Sequence, residues 1–115
     1  MYKLKQDKYR KVRGGCSRFL VIHCSSCSTI LMIYQKDGPG ILKRAYFDRI
    51  FSPSLLVESL KKGALSQIDK LRCSQCNTLI GSPYLYEKEN RPAFLLIPGS
   101  FSKKICKSTN LPTLN

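Results

Sequence analysis

Two pairs of cysteines constrain this chain more than any other feature. The first pair lies in the stretch HCSSCS and the second in RCSQCN, so each unit places two thiols three positions apart in a CxxC motif. A tight turn of this spacing can aim both sulfurs at one ion, and two such turns complete a tetrahedral shell with sulfurs about 2.3 Å from Zn²⁺. The sequence therefore predicts one structural zinc ion bound by Cys24, Cys27, Cys73 and Cys76.

A shell of four thiolates leaves no position for water, so the predicted zinc is structural and not catalytic. Two other interpretations stay open from the spacing alone: an iron ion in a rubredoxin-like shell, and redox-active dithiols or disulfides. Metal-binding cysteines favour a reducing compartment, and no apolar signal-peptide core follows the basic N-terminus. From these two observations we expect a cytoplasmic protein. Apolar runs such as 94–97 are also too short to span a bilayer.

The charge balance is the second constraint. Twenty Lys and Arg face seven Asp and Glu, which gives a formal net charge of +13. A zinc ion with four thiolates carries about −2, so roughly +11 remains. A net charge of this size indicates what kind of partner the chain binds, and it gives no information about the fold. Nucleic acid, an anionic membrane surface and an acidic protein are the candidate partners; we expect nucleic acid, with neither a membrane nor a small-molecule substrate.

The pattern of apolar and turn residues predicts a mainly β, zinc-bound domain built from short hairpins, with one short helix. Residues 1–15 are expected to form a basic arm that is flexible when free, residues 16–106 the zinc-bound body and residues 107–115 a loose tail. Short apolar segments on both sides of each cysteine pair are expected to be strands. Two hairpins are predicted, one over 29–51 and one around the turn at 89–92.

One short helix is predicted at about 53–62. Ser52 can cap its first turn, and Pro53 suits its first position because the missing N–H has no partner there. Gly63 fits the left-handed position that commonly follows a helix. The helix lies between the two cysteine pairs, in the segment that makes this chain longer than a simple ribbon.

The cysteine units resemble the knuckles of zinc ribbons, which usually lie about 15–20 residues apart. Here 45 residues separate Cys27 from Cys73. This longer spacing resembles the β-tent group, which includes Yippee-type domains, Mss4-like domains and B-type methionine sulfoxide reductases. The stretches YQKDGPG, RAYFDRI and YEKENRPAF are similar to small uncharacterised bacterial zinc-ribbon proteins. The resemblance covers residues 18–97 and implies a fold, not a function.

Three further residues could carry chemistry. Cys106 lies among three lysines, which can lower a thiol pKa, and B-type reductases also use a cysteine beyond the second knuckle. The surrounding KICKSTN matches the reductase motif poorly, so we expect no enzyme here. His23 could replace a cysteine ligand or donate to a knuckle carbonyl, but a strand-end histidine is the simpler interpretation. Cys16 has no assigned role.

The leading hypothesis is a non-enzymatic protein that binds structured RNA, most simply rRNA, as a ribosomal or ribosome-associated component. If residues 41–51 form one strand, Lys43, Phe47 and Arg49 lie on the same face of it. The Phe47 ring would then lie between two basic side chains, where it could stack on an RNA base while they bind phosphates. The alternatives are a zinc-ribbon adaptor for a protein partner and, more weakly, a thiol redox enzyme that uses Cys106. The predicted RNA contacts are Lys3, Lys5, Lys8, Arg10, Lys11, Arg13, Lys43, Arg44, Tyr46, Phe47, Arg49, Lys103, Lys104 and Lys107.

Overall fold

Two four-stranded antiparallel sheets, with the cysteine pairs at their ends, make up the computed structural model, which describes residues 2–62 and 64–112. Within these ranges there are two α-helices, eight strands and three short 3₁₀ turns. The α-helices and strands are α1 (Lys8–Val12), β1 (Ser17–Cys24), β2 (Ile30–Asp37), β3 (Arg44–Tyr46), β4 (Ile50–Ser52), α2 (Ser54–Lys61), β5 (Leu71–Arg72), β6 (Leu79–Tyr86), β7 (Arg91–Leu96) and β8 (Phe101–Cys106).

The first sheet has the strand order β4-β2-β1-β8 and the second has the order β3-β7-β6-β5. Strands β1 and β2 carry continuous runs of buried residues, 19–22 and 31–35, so both faces of the first sheet are covered there, because successive side chains point to opposite faces of a sheet. Leu20, Ile22 and Tyr34 of the first sheet pack in one core with Ile80 and Phe94 of the second. The mainly β fold predicted from the sequence is confirmed.

Several predicted elements agree with the structure. The helix predicted at about 53–62 is α2, although Pro53 occupies the capping position and not the first helical one. The hairpin predicted around 89–92 is formed by β6 and β7, with Tyr86 opposite Arg91. The expectation for Gly63 lies outside the described residues. Strand β8 was not predicted; it pairs with β1 and adds a fourth strand to the first sheet.

The segment 41–51 differs from the predicted return strand. It divides into β3, which joins the second sheet, and β4, which pairs with β2 in the first sheet. Between them Phe47–Arg49 forms a 3₁₀ turn, so the expected alternation of Lys43, Phe47 and Arg49 along one strand face is wrong. The turn takes Arg49 into the interior, where its side chain is only 1% exposed.

The N-terminal segment is attached to the body at several points. The backbone N–H of Lys5 donates to Gln35 Oε1 at 2.6 Å, and Gln35 Nε2 donates back to the Lys5 carbonyl at 2.9 Å. The Gln35 side chain is fully buried. The sequence predicted an arm that is flexible when free; in the structure the arm is docked on the body, where it supplies partners to the buried Gln35 side chain.

Asp7 forms the second attachment. Its carboxylate caps α1 by accepting from the backbone of Tyr9 and Arg10, and it accepts two hydrogen bonds from the Arg49 guanidinium at 2.6 and 3.0 Å. Arg49 Nε donates to Asp37 Oδ2 at 2.8 Å. The hydrogen bonds from Arg49 lower the pKa of Asp7 to about 2. One buried guanidinium thus joins the arm, β2 and the turn after β3.

A second buried guanidinium repeats this arrangement. Arg91 donates to the Asp48 carboxylate at 2.6 and 3.2 Å and to Glu89 at 3.0 Å. Its guanidinium carbon lies 3.9 Å from the ring centre of Tyr9 and 3.7 Å from that of Tyr46, so the cation is stacked between the arm and β3. Burial of these charges is tolerated because each has carboxylate partners.

Candidate metal centre and basic surface

Each cysteine pair occupies a turn of the same geometry. In the first turn the Cys24 N–H donates to the Thr29 carbonyl at 2.8 Å, and the Ser28 N–H donates to the Cys24 carbonyl at 2.8 Å. Ser28 has a φ of 64°, a left-handed conformation that closes the turn. The turn joins β1 to β2, so this cysteine pair is itself the loop of a hairpin.

The second turn reproduces the first at the end of the second sheet. The Cys73 N–H donates to the Thr78 carbonyl at 2.9 Å, and the Asn77 N–H donates to the Cys73 carbonyl at 2.9 Å. Asn77 has a φ of 62°, and asparagine tolerates this conformation better than most residues. Ser28 and Asn77 thus hold the same left-handed position after their cysteine pairs, and β5 and β6 form the hairpin that this turn connects.

The fold brings the four predicted sulfurs together. All four lie within 4.8 Å of one another, with 3.5 Å between Cys24 and Cys76 and 3.5 Å between Cys27 and Cys73. A tetrahedral Zn²⁺ ion at 2.3 Å from each sulfur would separate the sulfurs by about 3.8 Å. The four residues therefore fit one tetrahedral metal ion. Cys24 and Cys73 are buried and Cys27 and Cys76 are exposed, so the cluster lies at the boundary of the core.

Two threonines support the cluster. The hydroxyl groups of Thr29 and Thr78 lie 3.0 and 3.1 Å from the sulfurs of Cys27 and Cys76. The hydrogen bond from Thr78 lowers the pKa of Cys76 to about 6, and a backbone bond lowers that of Cys73. Sequence reasoning missed both threonines, although each lies two residues after the second cysteine of its pair.

The Cys27 thiol behaves differently from its neighbours. Its bond with Thr29 lowers the pKa, but burial and the thiols of Cys73 and Cys76 outweigh that bond and raise the pKa. Four thiols this close cannot all ionise without a cation, whereas an ion of charge +2 would favour the thiolate at every position. The donor set is therefore one that a metal ion completes.

The remaining candidates for chemistry lie apart from the cluster. Cys16 is exposed before β1, and Cys106 is half-buried at the end of β8. Cys106 pairs with Phe19, whereas His23 pairs with Ser102. Four positions along a strand correspond to about 13 Å, so the single histidine of the chain is not beside Cys106. The four cysteine sulfurs form a complete shell without His23.

The predicted RNA contacts divide into exposed and buried groups. Arg49 and Tyr46 are buried, and Phe47 packs against Phe94 with ring centres 4.8 Å apart. Arg13 and Arg44 are half-buried; Arg13 binds Glu89 through two hydrogen bonds, and Arg44 stacks on Tyr86. The groups that stay exposed are Lys3, Lys5, Lys8, Lys11, Lys43, Lys103, Lys104 and Lys107, with Arg10 partly exposed.

The structure joins three predicted basic clusters through two residues that sequence reasoning missed. Arg18 and Lys36 lie directly opposite each other on β1 and β2. Arg18 borders a surface cavity with Lys3 and Lys107. Lys36 borders another with Lys43, and Lys103 borders a third with Lys43. We call this set the basic band; its members are Lys3, Arg18, Lys36, Lys43, Lys103 and Lys107.

Arg18 and Lys36 could have been found from the sequence. Once the first cysteine pair is taken as the loop of a hairpin, β1 and β2 must pair around it, which brings the two bases close to each other. A bulge between Ile22 and His23, which the sequence does not reveal, shifts the register by one residue and places them directly opposite. The hairpin predicted over 29–51 instead paired β2 with the segment that follows it in sequence, so Arg18 and Lys36 were not expected to be neighbours. The pairing of β1 with β2, and not the composition, is the sequence information that would have brought Arg18 and Lys36 together.

Fold and site together define a small, mainly β domain with a four-cysteine cluster that could hold a metal ion. Comparison with protein-family models, with curated proteins and with solved structures found no match to this chain. No helix in residues 2–62 or 64–112 is long and apolar enough to cross a membrane. The function must therefore be argued from the residues themselves.

Proposed function

We propose that the four-cysteine cluster binds one structural Zn²⁺ ion. Four thiolates in a tetrahedral arrangement suit this ion, which has no geometric preference of its own and takes sulfur ligands readily. The ion would join the two sheets, because each sheet supplies one hairpin loop with two ligands. By the precedent of zinc-finger peptides, binding supplies about 10–16 kcal/mol to folding.

We further propose that the domain binds structured RNA through its phosphates, as a cytoplasmic ribosomal or ribosome-associated protein. The observation that carries this proposal is the charge left on the surface. Three of the 20 bases and four of the seven acids lie in the ion pairs of Arg13, Arg49 and Arg91, which leaves 17 bases and three acids. Four of the seven acids are engaged by arginines, so little unpaired negative charge opposes the basic band.

The arrangement of the bases supports phosphate contacts more than base stacking. Tyr46 and Phe47 belong to the core or pack against it, and they are therefore not offered to an RNA base. Lysines and arginines on a rigid sheet can follow the backbone of a folded RNA by its shape. With about five phosphates neutralised, the logarithm of affinity should fall with the logarithm of salt concentration with a slope near −4.

Salt dependence of RNA affinity tests this proposal. Fluorescence anisotropy with a structured RNA hairpin, from 50 to 300 mM KCl, gives the slope for the wild type and for two double variants. Lys103→Gln with Lys107→Gln removes two bases of the basic band and should make the slope shallower by about 1.4–1.8. Lys62→Gln with Lys70→Gln is the matched control, because both lysines border a cavity beside α2.

Two results would overturn the RNA proposal. One is negligible affinity at 100 mM KCl, and the other is an equal change of slope in both double variants. An acidic protein partner would also be sensitive to salt, so competition separates the two cases. Structured RNA should displace the natural partner far better than polyglutamate of equal charge, because RNA presents its charges on a rigid helical surface.

A second candidate function is an adaptor that binds a protein partner. The observation that favours it is an apolar groove of about 640 Å³ between the residues that precede β3 and the turn that joins β7 to β8. The groove is lined by Leu42, Leu96 and Phe101, with Ile41 at its edge. Ile41 is 78% exposed. If this groove binds a protein, Ile41→Ser should lower the amount of that partner that co-purifies at 500 mM salt.

We propose no catalytic role for this chain. Cys106 borders a surface cavity with Tyr2, Phe19 and Ile105, and the cavity lining contains neither a carboxylate nor an imidazole that could serve as a base. A thiol redox enzyme that uses Cys106 is the weaker alternative. Turnover of methionine sulfoxide with a dithiol reductant, lost on Cys106→Ser, would support that alternative instead.

A further inference from the structure

A polar cavity of about 420 Å³ lies between the N-terminal segment, β2 and β3. Four cationic side chains contribute to its lining, and so do two tyrosines that belong to the buried core. These six residues are Arg13, Lys36, Lys43, Arg44, Tyr34 and Tyr46. None of the three exposed acids that are free of ion pairs borders it, and Asp37 is the single carboxylate in its lining. The cavity therefore concentrates positive charge in a confined space.

Lys36 shows that this charge is not balanced within the protein. Burial, followed by repulsion from Lys103, Arg18 and Arg13, lowers the pKa of its ammonium group. Asp37 opposes the repulsion, but its two oxygens already accept from Ser17, Gln35 and Arg49. A cleft lined by one sign of charge attracts counter-ions, and an anion bound here would relieve the repulsion.

Hydrogen-bond donors of the cavity also lack acceptors. The Tyr46 hydroxyl oxygen accepts from Arg13 Nη2 at 2.9 Å and from Arg44 Nη1 at 3.5 Å, and within the described residues its own O–H donates to no group. Arg44 uses Nε on Tyr84 and Nη1 on Tyr46, and no acceptor among residues 2–62 and 64–112 binds its Nη2 group. In the same ranges the Lys36 ammonium donates once, to the Gly38 carbonyl at 2.9 Å.

We propose that this cavity binds a phosphate monoester group. Arg13 is already paired with Glu89, so Lys36, Lys43 and Arg44 are the cavity cations without an ion pair in the described residues. A monoester carries close to two negative charges at neutral pH and three acceptor oxygens, which matches these three cations and the unused donors better than a carboxylate or a phosphodiester does. Pockets that enclose small ligands have volumes of about 300–1,000 Å³, so the cavity can admit the sugar as well as the phosphate of a nucleotide.

The phosphate could be the terminal group of an RNA chain or that of a free nucleotide. Only the first of these sources rests on the RNA function proposed above. The cavity adjoins the basic band through Lys36 and Lys43, so an RNA that follows the band could place its 5′-phosphate here. Both sources share the same chemistry, and the experiment separates them.

Isothermal titration calorimetry at 50 mM salt tests the cavity directly, with AMP, inorganic phosphate and adenosine as probes. AMP and phosphate should bind and adenosine should not. Lys43→Gln and Lys36→Gln should each weaken AMP binding about tenfold, since each removes a charge-assisted hydrogen bond. Lys70→Gln, an exposed lysine outside the cavity, should leave the affinity unchanged. Tyr46→Phe removes only the hydroxyl and should weaken binding by about three- to tenfold.

Zinc content and far-ultraviolet circular dichroism of each variant verify that it is folded. Equal affinities of AMP and adenosine, or equal weakening in Lys43→Gln and Lys70→Gln, would overturn the proposal. Oligoribonucleotides with a 5′-phosphate or a 5′-hydroxyl then identify the source. Tighter binding of the phosphorylated oligonucleotide supports the RNA end.

The two proposals fail in different ways. If AMP binds as expected but no oligonucleotide does, the cavity takes a free nucleotide and the RNA function is overturned. If both oligonucleotides bind equally and AMP does not bind, the RNA function stands and the phosphate site is overturned.

Discussion

Removing the Asp7 carboxylate tests whether the N-terminal segment is part of the folded body. Asp7 caps α1 and binds both Nη groups of Arg49, whose side chain is 1% exposed. Asp7→Asn keeps an oxygen that can cap the helix and accept one bond, but it removes the negative charge. Asp7→Ala removes the cap, both hydrogen bonds and the charge together.

The expected loss of stability follows from these contacts. A pKa lowered from 3.8 to about 2 corresponds to at most about 2.5 kcal/mol, and screening reduces this to about 1–2 kcal/mol because the Asp7 side chain is 41% exposed. That is the prediction for Asp7→Asn. Asp7→Ala adds about 1 kcal/mol for the cap and about 1 kcal/mol for unpaired donors on a buried cation, giving about 3–4 kcal/mol.

Urea unfolding at fixed excess zinc and reductant measures the free energy of unfolding, and the same zinc concentration for each variant cancels the metal contribution. Because the folded pKa lies below the unfolded one, the Asp7 contribution is complete above the unfolded value of 3.8 and is lost as pH falls toward 2. The difference between wild type and Asp7→Asn should therefore be constant from pH 6 to pH 8.

Asp69→Asn is the matched control, since Asp69 is exposed and forms no ion pair within the described residues. It should change the free energy of unfolding by less than about 0.5 kcal/mol. If Asp7→Asn is as mild as Asp69→Asn, then Arg49 does not depend on the arm for a partner. The docking of residues 2–13 on the body would then be refuted.

Three further predictions concern the metal, the chemistry and the arm. Elemental analysis should find one zinc per chain, and Cys→Ser at any of the four knuckle positions should abolish zinc binding and folding. Cys16→Ser and Cys106→Ser should keep the metal, so loss of zinc in either variant would contradict the assignment. Incubation with methionine sulfoxide and dithiothreitol should give no turnover by the zinc-loaded protein, and activity dependent on Cys106 would reverse the non-enzyme proposal. Deleting residues 1–13 should lower the free energy of unfolding by at least about 3 kcal/mol, because Gln35 and Arg49 lose buried partners; unchanged stability would show a free arm.

The sequence by itself determined the local features. Two cysteines in a CxxC motif form a turn whose geometry depends on only six residues, and the left-handed residues after each pair follow from the same turn. Helix α2 and the β6–β7 hairpin could also be predicted from the sequence, because the residues that indicate each element are close together along the chain. The assembly of four sulfurs could be predicted because two such turns can complete one shell.

Only the tertiary structure decided where the segment 41–51 goes. The pairing of β4 with β2 is the part of the predicted hairpin over 29–51 that the structure keeps. The pairing of β3 with β7, which places Arg44 opposite Leu95, joins segments far apart in sequence. The pairing partners that a segment takes depend on which arrangement buries the most apolar surface for the whole chain. That total surface cannot be read from the pattern of one segment. The turn between β3 and β4, and the burial of Arg49, follow from this choice.

The roles of the bases were likewise decided by the fold. Arg49 and Lys43 look equivalent in the sequence, yet Arg49 is a buried partner of Asp7 and Asp37 whereas Lys43 is exposed beside a cationic cavity. Net charge is fixed by composition, but whether a given cation is neutralised depends on which carboxylates the fold places within about 4 Å of it. Charge counting therefore predicted a basic surface, and only three-dimensional pairing showed which residues form it.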